Sequence, residues 1–277
     1  MKRKNSFYVI ACKKSQKFLE FVHRVVKNLI PFRFGQFPKT LFKYTTLETL
    51  KKGLEMPSVY FSAATDFNDP FELKYKLDSN YTKDDWIAYF NKREPQREGC
   101  EALAEWYMNN PQKAHEFVSG SIEEQIKDTG ILCLTTHNDN LLMWAHYADS
   151  HRGVCIEYVT MNHIMASGIL KKVKYSNQYI RFNYIKEPDR LKKCIFHKSC
   201  QWSYENEYRI VRQGSVKEPI GIPPKAIKGI YFGCNCSDNK INEIREIINK
   251  KGWTHIQLKK AEIDDSAFKL NFREISF

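Results

Sequence analysis

The spacing of apolar residues changes near residues 40, 81 and 130, and each change predicts a different kind of element. Before Thr40, Phe18, Val22, Val25, Val26 and Leu29 fall on one helical face, extended by the stem of Arg33. His23, Arg24 and Lys27 fall elsewhere, and Pro31 limits the helix. From Thr40 the pattern shortens. Residues 41–46 (LFKYTT) predict a strand, and residues 46–53 a helix with Thr46 as N-cap and Gly53 as its end. Residues 58–62 predict a second strand after Pro57. Residues 81–128 are charged and poor in β-branched runs. There WIAYF, EALAEWYMNN and AHEFVSGSIEEQI carry helical periodicity, punctuated by Pro111 and Gly120.

From Gly130 the texture changes again. ILCLTT predicts a buried strand, and LLMWAHYADS a short helix opened by Asn138 or Asp139 and closed by Gly153. VCIEYV, KKVKYS, NEYRIVR and IKGIYFG predict strands, followed by a helix over 237–251 and a last strand in THIQLKKAEI. Short strands late and helices interposed earlier predict an α+β fold of mixed or antiparallel sheets, not a repeating βαβ sheet. The organisation read from this is a basic amphipathic arm over 1–39 and a single α+β domain over 40–277. A helical insertion occupies about 81–128.

Charge sharpens that division. The formal net charge is +12, but residues 1–39 hold ten basic residues against Glu20 alone, leaving 34 basic and 31 acidic residues over 40–277. Basicity therefore belongs to the arm, which fits nucleic acid, a membrane surface or an acidic partner, or else a docked helix with its charges in solvent. No run approaches the ~20 apolar residues needed to span a bilayer. The early run FYVIAC is short for a signal-peptide core, so a cytoplasmic location is expected. Eight cysteines are scattered. Cys133 and Cys155 read as small core residues, Cys234-Asn235-Cys236 is too tight for a zinc knuckle, and His197-x-x-Cys200 lacks a second half. Free thiols and no metal site are expected.

Three clusters could carry chemistry. In Phe67-Asn68-Asp69-Pro70-Phe71-Glu72, Asn68, Asp69 and Glu72 stand on a turn that aromatics on both sides would pin to the core. The turn is either a cleft rim or purely structural. In Leu141–Asp149, Trp144, His146 and Tyr147 share one helical turn, able to stack a ring and hold a proton, or simply to pack. In the third, Trp202–Arg212, a strand from Glu205 would put Glu205, Glu207 and Arg209 on one face. Two like charges so placed raise one pKa or recruit a cation, with Arg209 as the candidate. The alternative is an exposed face of ordinary Glu–Arg pairs.

Taken in order, the Phe-Lys-Tyr-Thr around Lys43, FNDPFE, LLMWAHYADSHRGVCIEY and WSYENEYRI resemble an uncharacterised bacterial domain-of-unknown-function family, over roughly residues 40–235. The chain also resembles the ADP-ribosyltransferase-like superfamily, which includes toxin and phage-defence members. That resemblance implies NAD as substrate, an unknown macromolecular acceptor, and Glu207 as the essential carboxylate with Glu205 assisting. It implies Lys43 on the dinucleotide and Thr135-Thr136 in the middle role; Tyr44, Tyr147 or Trp144 would stack on a ring, and Asn68, Asp69, Glu72, His146 and Arg209 of the three clusters are supporting candidates. Lys43 stands where a His or Arg is usual, and Thr135-Thr136-His137 departs from Ser-Thr-Ser. The chemistry is coherent, because cleaving a nicotinamide glycosidic bond passes through an oxocarbenium-like state that a carboxylate stabilises. No Gly-rich phosphate loop supports a Rossmann mode of binding. Two other readings stand beside it. One is a metal-dependent nuclease using Asp69, Glu72, Glu205 and Glu207; the other is a non-enzymatic binding module that works through the arm.

Overall fold

The computed structural model describes residues 37–160 and 168–276. The arm helix expected around residues 18–29 lies outside the described residues. From Thr40 onward the chain is mixed α+β. Its strands are β1 (Thr40–Thr45), β2 (Ser58–Ala63), β3 (Tyr75–Leu77), β4 (Thr129–Thr135), β5 (Val154–Val159), β6 (Ile169–Lys172) and β7 (Lys174–Tyr175). They continue with β8 (Ile180–Phe182), β9 (His197–Lys198), β10 (Glu207–Gln213), β11 (Glu218–Gly221), β12 (Ile227–Phe232), β13 (Gln257–Ile263) and β14 (Leu270–Glu274). The α-helices are α1 (Leu47–Glu55), α2 (Lys83–Arg93), α3 (Cys100–Asn109), α4 (Pro111–Lys127), α5 (Leu141–Tyr147), α6 (Leu191–Ile195) and α7 (Asp238–Lys250).

Ten strands form one sheet in the order β11-β2-β4-β1-β5-β12-β13-β14, with β10 added to β4 and β6 to β10. Its pairs are antiparallel except β12 and β13, which run parallel and are joined by α7, a single βαβ unit inside an otherwise antiparallel sheet. Strand β4 is where the sheet forks. One edge pairs with β10 from Thr129 to Thr135. The other is divided: β2 holds Gly130 and Ile131, and β1 holds Thr135.

Local chemistry explains most boundaries. The Thr46 hydroxyl accepts from the Thr49 N–H and starts α1 as expected. The helix runs through Gly53 to Glu55, however, because Gly53 does not adopt the left-handed conformation that ends a helix. Gly120 likewise sits inside α4 with open space beside it. Helix α5 is capped by Asn140, whose side chain accepts from the Leu142 and Met143 N–H groups, one or two residues later than expected. KKVKYS divides into β6 and β7, while β14, α6 and a 3-10 segment over Cys200–Glu205 were not foreseen. The insertion builds its own core, where Trp86 is fully buried and stacked on Tyr107 at 4.5 Å.

Helix α5 is clamped onto β1. Tyr44 meets Trp144 edge-on at 5.2 Å, and the Trp144 indole donates to the Asn138 carbonyl at 2.8 Å. The chain then turns through left-handed Asp149, Ser150 and His151 into Gly153. A Cβ on Gly153 would lie 2.4 Å from the Thr45 carbonyl oxygen. Gly153→Ala is therefore expected to cost roughly 1–3 kcal/mol of stability, by analogy with overpacking of a dense core. Urea denaturation measures it, and an unchanged midpoint would contradict this close approach.

Candidate functional site

The cross-strand register places one row of residues over four neighbouring strands. Glu207 of β10 stands opposite Thr135 of β4, Thr135 opposite Phe42 of β1, and Phe42 opposite Glu157 of β5. Opposed residues of antiparallel strands share a face, so this row is continuous on one side of the sheet. Phe42, half-buried, lies between two buried glutamates. Tyr44 and Cys155, one step along, lie on the same face and carry α5 above them.

At the β10 end a charged cluster is buried. Lys198 lies at its centre, its ammonium 2.6 Å from Glu205, 3.5 Å from Glu207 and 3.7 Å from Glu72. Arg209, 1 % exposed, donates to both oxygens of Glu207 at 2.7 and 2.9 Å. It also reaches Glu72 at 2.7 Å and the Ile195 carbonyl at 2.6 Å, with its guanidinium over the Phe67 ring. Three carboxylates thus meet two cations, leaving one negative charge in excess if all are ionised. That excess is expressed at Glu205. Burial pushes its carboxyl upward and the Glu207 charge adds to this, while Lys198 works against both. For Glu207 burial also pushes up, but Arg209 and then Lys198 overcome it and bring its carboxyl down to about 2.

Glu205 is not on the strand, contrary to the alternation expected from sequence. It ends the 3-10 segment, and left-handed Asn206 (φ 43°) turns the chain into β10 at Glu207. Asn tolerates that conformation better than most residues. Several side chains pin this turn. Thr135 donates to the Glu205 carbonyl, Asn140 to the Tyr204 carbonyl at 3.0 Å, and Asn206 to the Thr136 hydroxyl. The Tyr147 hydroxyl donates to Glu205 at 2.7 Å. Half-buried Tyr147, Tyr204 and Phe42 pack together around Tyr44, Trp144 and Tyr231, forming an aromatic border beside the cluster.

The expected site residues divide accordingly. Glu72, Glu205, Glu207, Arg209 and Tyr147 converge, and Thr135 and Thr136 build the turn that presents Glu205 rather than facing outward. Lys43 points its ammonium into the fork of the sheet, where it donates to the Cys133 backbone carbonyl at 3.4 Å. Burial pushes that ammonium down, opposed by Cys133 and Glu207. Tyr44 is buried beneath Trp144, and Trp144 is core with 0 % exposure. Asn68 and His146 are exposed, and the His146 ring meets the Tyr147 ring edge-on at 6.3 Å. Asp69 accepts from the Phe71 N–H at 2.9 Å, a structural turn, and Phe71 is 64 % exposed instead of pinned inward. The Glu–Arg face is buried, not exposed.

Lys198 is the residue sequence reading misses: it stands between Glu205 and Glu207, while Arg209, the candidate for that place, holds Glu207 and Glu72. Lys198 occupies the place a metal would need in the nuclease reading, and among the described residues no group of His, Cys, Asp or Glu is arranged to hold a metal ion. Of the cysteines, Cys155 is buried as expected, while Cys133 is half-buried in the fork. Among the described residues no helix is long and apolar enough to cross a membrane.

Fold and site together define a mixed α+β protein with a buried, net-acidic charge cluster under an aromatic border. Residues 143–210, from α5 to β10, match a family model described as Protein of unknown function (DUF2971), which supports an uncharacterised domain family for this stretch. The match spans Tyr147, Lys198, Glu205, Glu207 and Arg209 and omits Lys43 and Glu72. No curated protein and no solved structure matches the chain.

The low position of Glu207 has a consequence in acid. A carboxyl depressed in the folded state stabilises fully above its unfolded pKa, here near 4.5, and loses that contribution as pH falls toward about 2. The contribution is on the order of 3 kcal/mol, reduced by Glu205, whose upward shift has the opposite sign. Denaturation curves between pH 6 and pH 3 are expected to fall more steeply for the native chain than for Glu207→Gln. Parallel curves would contradict this.

Proposed function

We propose that this chain is an ADP-ribosyltransferase-like enzyme that binds NAD on the face carrying Phe42, with Glu205 as the carboxylate nearest the reacting ribose. What carries the reading is the adjacency and register of the three strands bearing the superfamily-like motifs, β1, β4 and β10, which align Phe42, Thr135 and Glu207. A net-acidic cluster suits the chemistry, because positive charge develops at the ribose as nicotinamide leaves. Glu207, held by two Arg209 hydrogen bonds, keeps the cluster in shape. Glu205 sits at the aromatic border with the Tyr147 hydroxyl on one oxygen and Lys198 on the other. A nicotinamide or adenine ring would stack on Phe42 or Tyr204. Lys43 holds the β4 backbone here and has no dinucleotide contact in this scheme.

The test incubates the purified chain with labelled NAD and cell lysate, following both nicotinamide release and label on macromolecules. Release that depends on the protein, with label transferred to an acceptor, is the expected result. Neither signal with any acceptor would remove the reading. A toxin or phage-defence role is part of the same proposal and would follow from the identity of the acceptor.

A further inference from the structure

A second cavity lies where the helical insertion meets residues 185–192, and none of its lining residues belongs to the glutamate cluster. Between α2 and the 185–192 segment the surface holds a cavity of about 510 Å³, within the ordinary size range of small-ligand pockets. Four cations line it, Lys92, Arg93, Lys186 and Lys192, against two acids, Asp85 and Asp189. The acids are already shared. Asp189 takes Lys192 at 2.9 Å and Lys92 at 3.8 Å, and Asp85 takes Lys186 at 3.2 Å while closing the capping box of α2.

Arg93 is different. Among the described residues it forms no ion pair. Its guanidinium is held in place instead, 4.8 Å over the Tyr89 ring and donating to the Tyr184 hydroxyl at 3.0 Å. Both tyrosines are buried, so the head group is preorganised while its remaining N–H donors stay unspent. Favourable charge at a helix C-terminus accounts for cations at Lys92 and Arg93, but not for an arginine fixed on two rings without an acid. A neighbouring cavity on Arg93 carries Glu124 and Asp128, neither within ion-pair distance of it. Beside the cations, Ala88, Ile185 and Pro188 supply an apolar wall.

We propose that this cavity binds a small phosphate-bearing ligand of mononucleotide size, its phosphate on Arg93 and Lys192 and its apolar part on that wall. Calorimetric titration with AMP, pyrophosphate and adenosine tests it, on the native chain and on Arg93→Gln, Lys192→Gln and Glu205→Gln. AMP and pyrophosphate should bind and adenosine should not. Affinity for AMP should fall about tenfold or more in Arg93→Gln, as expected for losing a charge-assisted contact, and stay unchanged in Glu205→Gln. If Arg93→Gln does not fold by circular dichroism, the fall in Lys192→Gln decides the matter. No binding of either phosphate compound, adenosine binding as well as AMP, or AMP binding lost in Glu205→Gln but kept in the cavity variants would each overturn it. Failure here leaves the NAD proposal untouched, since the two sites share no residue.

Discussion

Replacing Arg209 by leucine is expected to lower the unfolding free energy by about 3–5 kcal/mol, enough to threaten folding of a domain of ordinary stability. The side chain is 1 % exposed and spans Glu207, Glu72 and the Ile195 carbonyl. Removing it strands two carboxylates in a buried setting with Lys198 as their remaining cation. Most of the loss therefore comes from desolvated charge left unpaired, not from the hydrogen bonds themselves. Arg209→Lys should recover part of it, because an ammonium restores the charge but cannot form the two-point contact with Glu207. Equilibrium denaturation measures both variants, and a loss below about 1 kcal/mol for Arg209→Leu would show that the cluster is solvated rather than buried.

The second large effect separates the two glutamates. Glu205→Gln is expected to slow NAD cleavage by roughly 10²–10³, the scale seen when one preorganised electrostatic group is lost at a reacting centre. Its stability should change little, because the amide oxygen can still accept from Lys198, the amide NH2 can donate to the Tyr147 hydroxyl oxygen, and the substitution removes the one negative charge in excess. Glu207→Gln should behave in reverse. It leaves Arg209 without its two-point partner, so stability falls first and activity follows the folded fraction. Comparable loss of activity per folded molecule in both variants would return Glu207 to the leading role suggested by sequence resemblance.

Much of the scaffold was legible because local chemistry declares it. Thr46 and the LFKYTT strand, the helical periodicity of the insertion, and the alternation of EYRIV all appear in place. The cluster was half legible. Glu72, Glu205, Glu207 and Arg209 could be picked out by motif, yet Lys198 could not. It belongs to the two-residue strand β9, too short to show a period, and its importance comes from contacts with residues 7, 9 and 126 positions away. The position of Glu205 was misread for a related reason. Alternation assumes a continuous strand from Glu205, but left-handed Asn206 delays the strand to Glu207, two residues later. The contact of Lys43 with the Cys133 carbonyl was not legible, because the sequence gives no sign that β4 is shared between β1 and β2.

The most direct measurement is a crystal structure with a slowly hydrolysed NAD analogue, collected on the native chain. Bound analogue should lie over Phe42, with its nicotinamide-side ribose within hydrogen-bond reach of Glu205 and a ring against Tyr204 or Phe42. Analogue seated away from the Glu207–Thr135–Phe42 row, or an empty face at saturating concentration, would contradict the placement of chemistry on this side of the sheet.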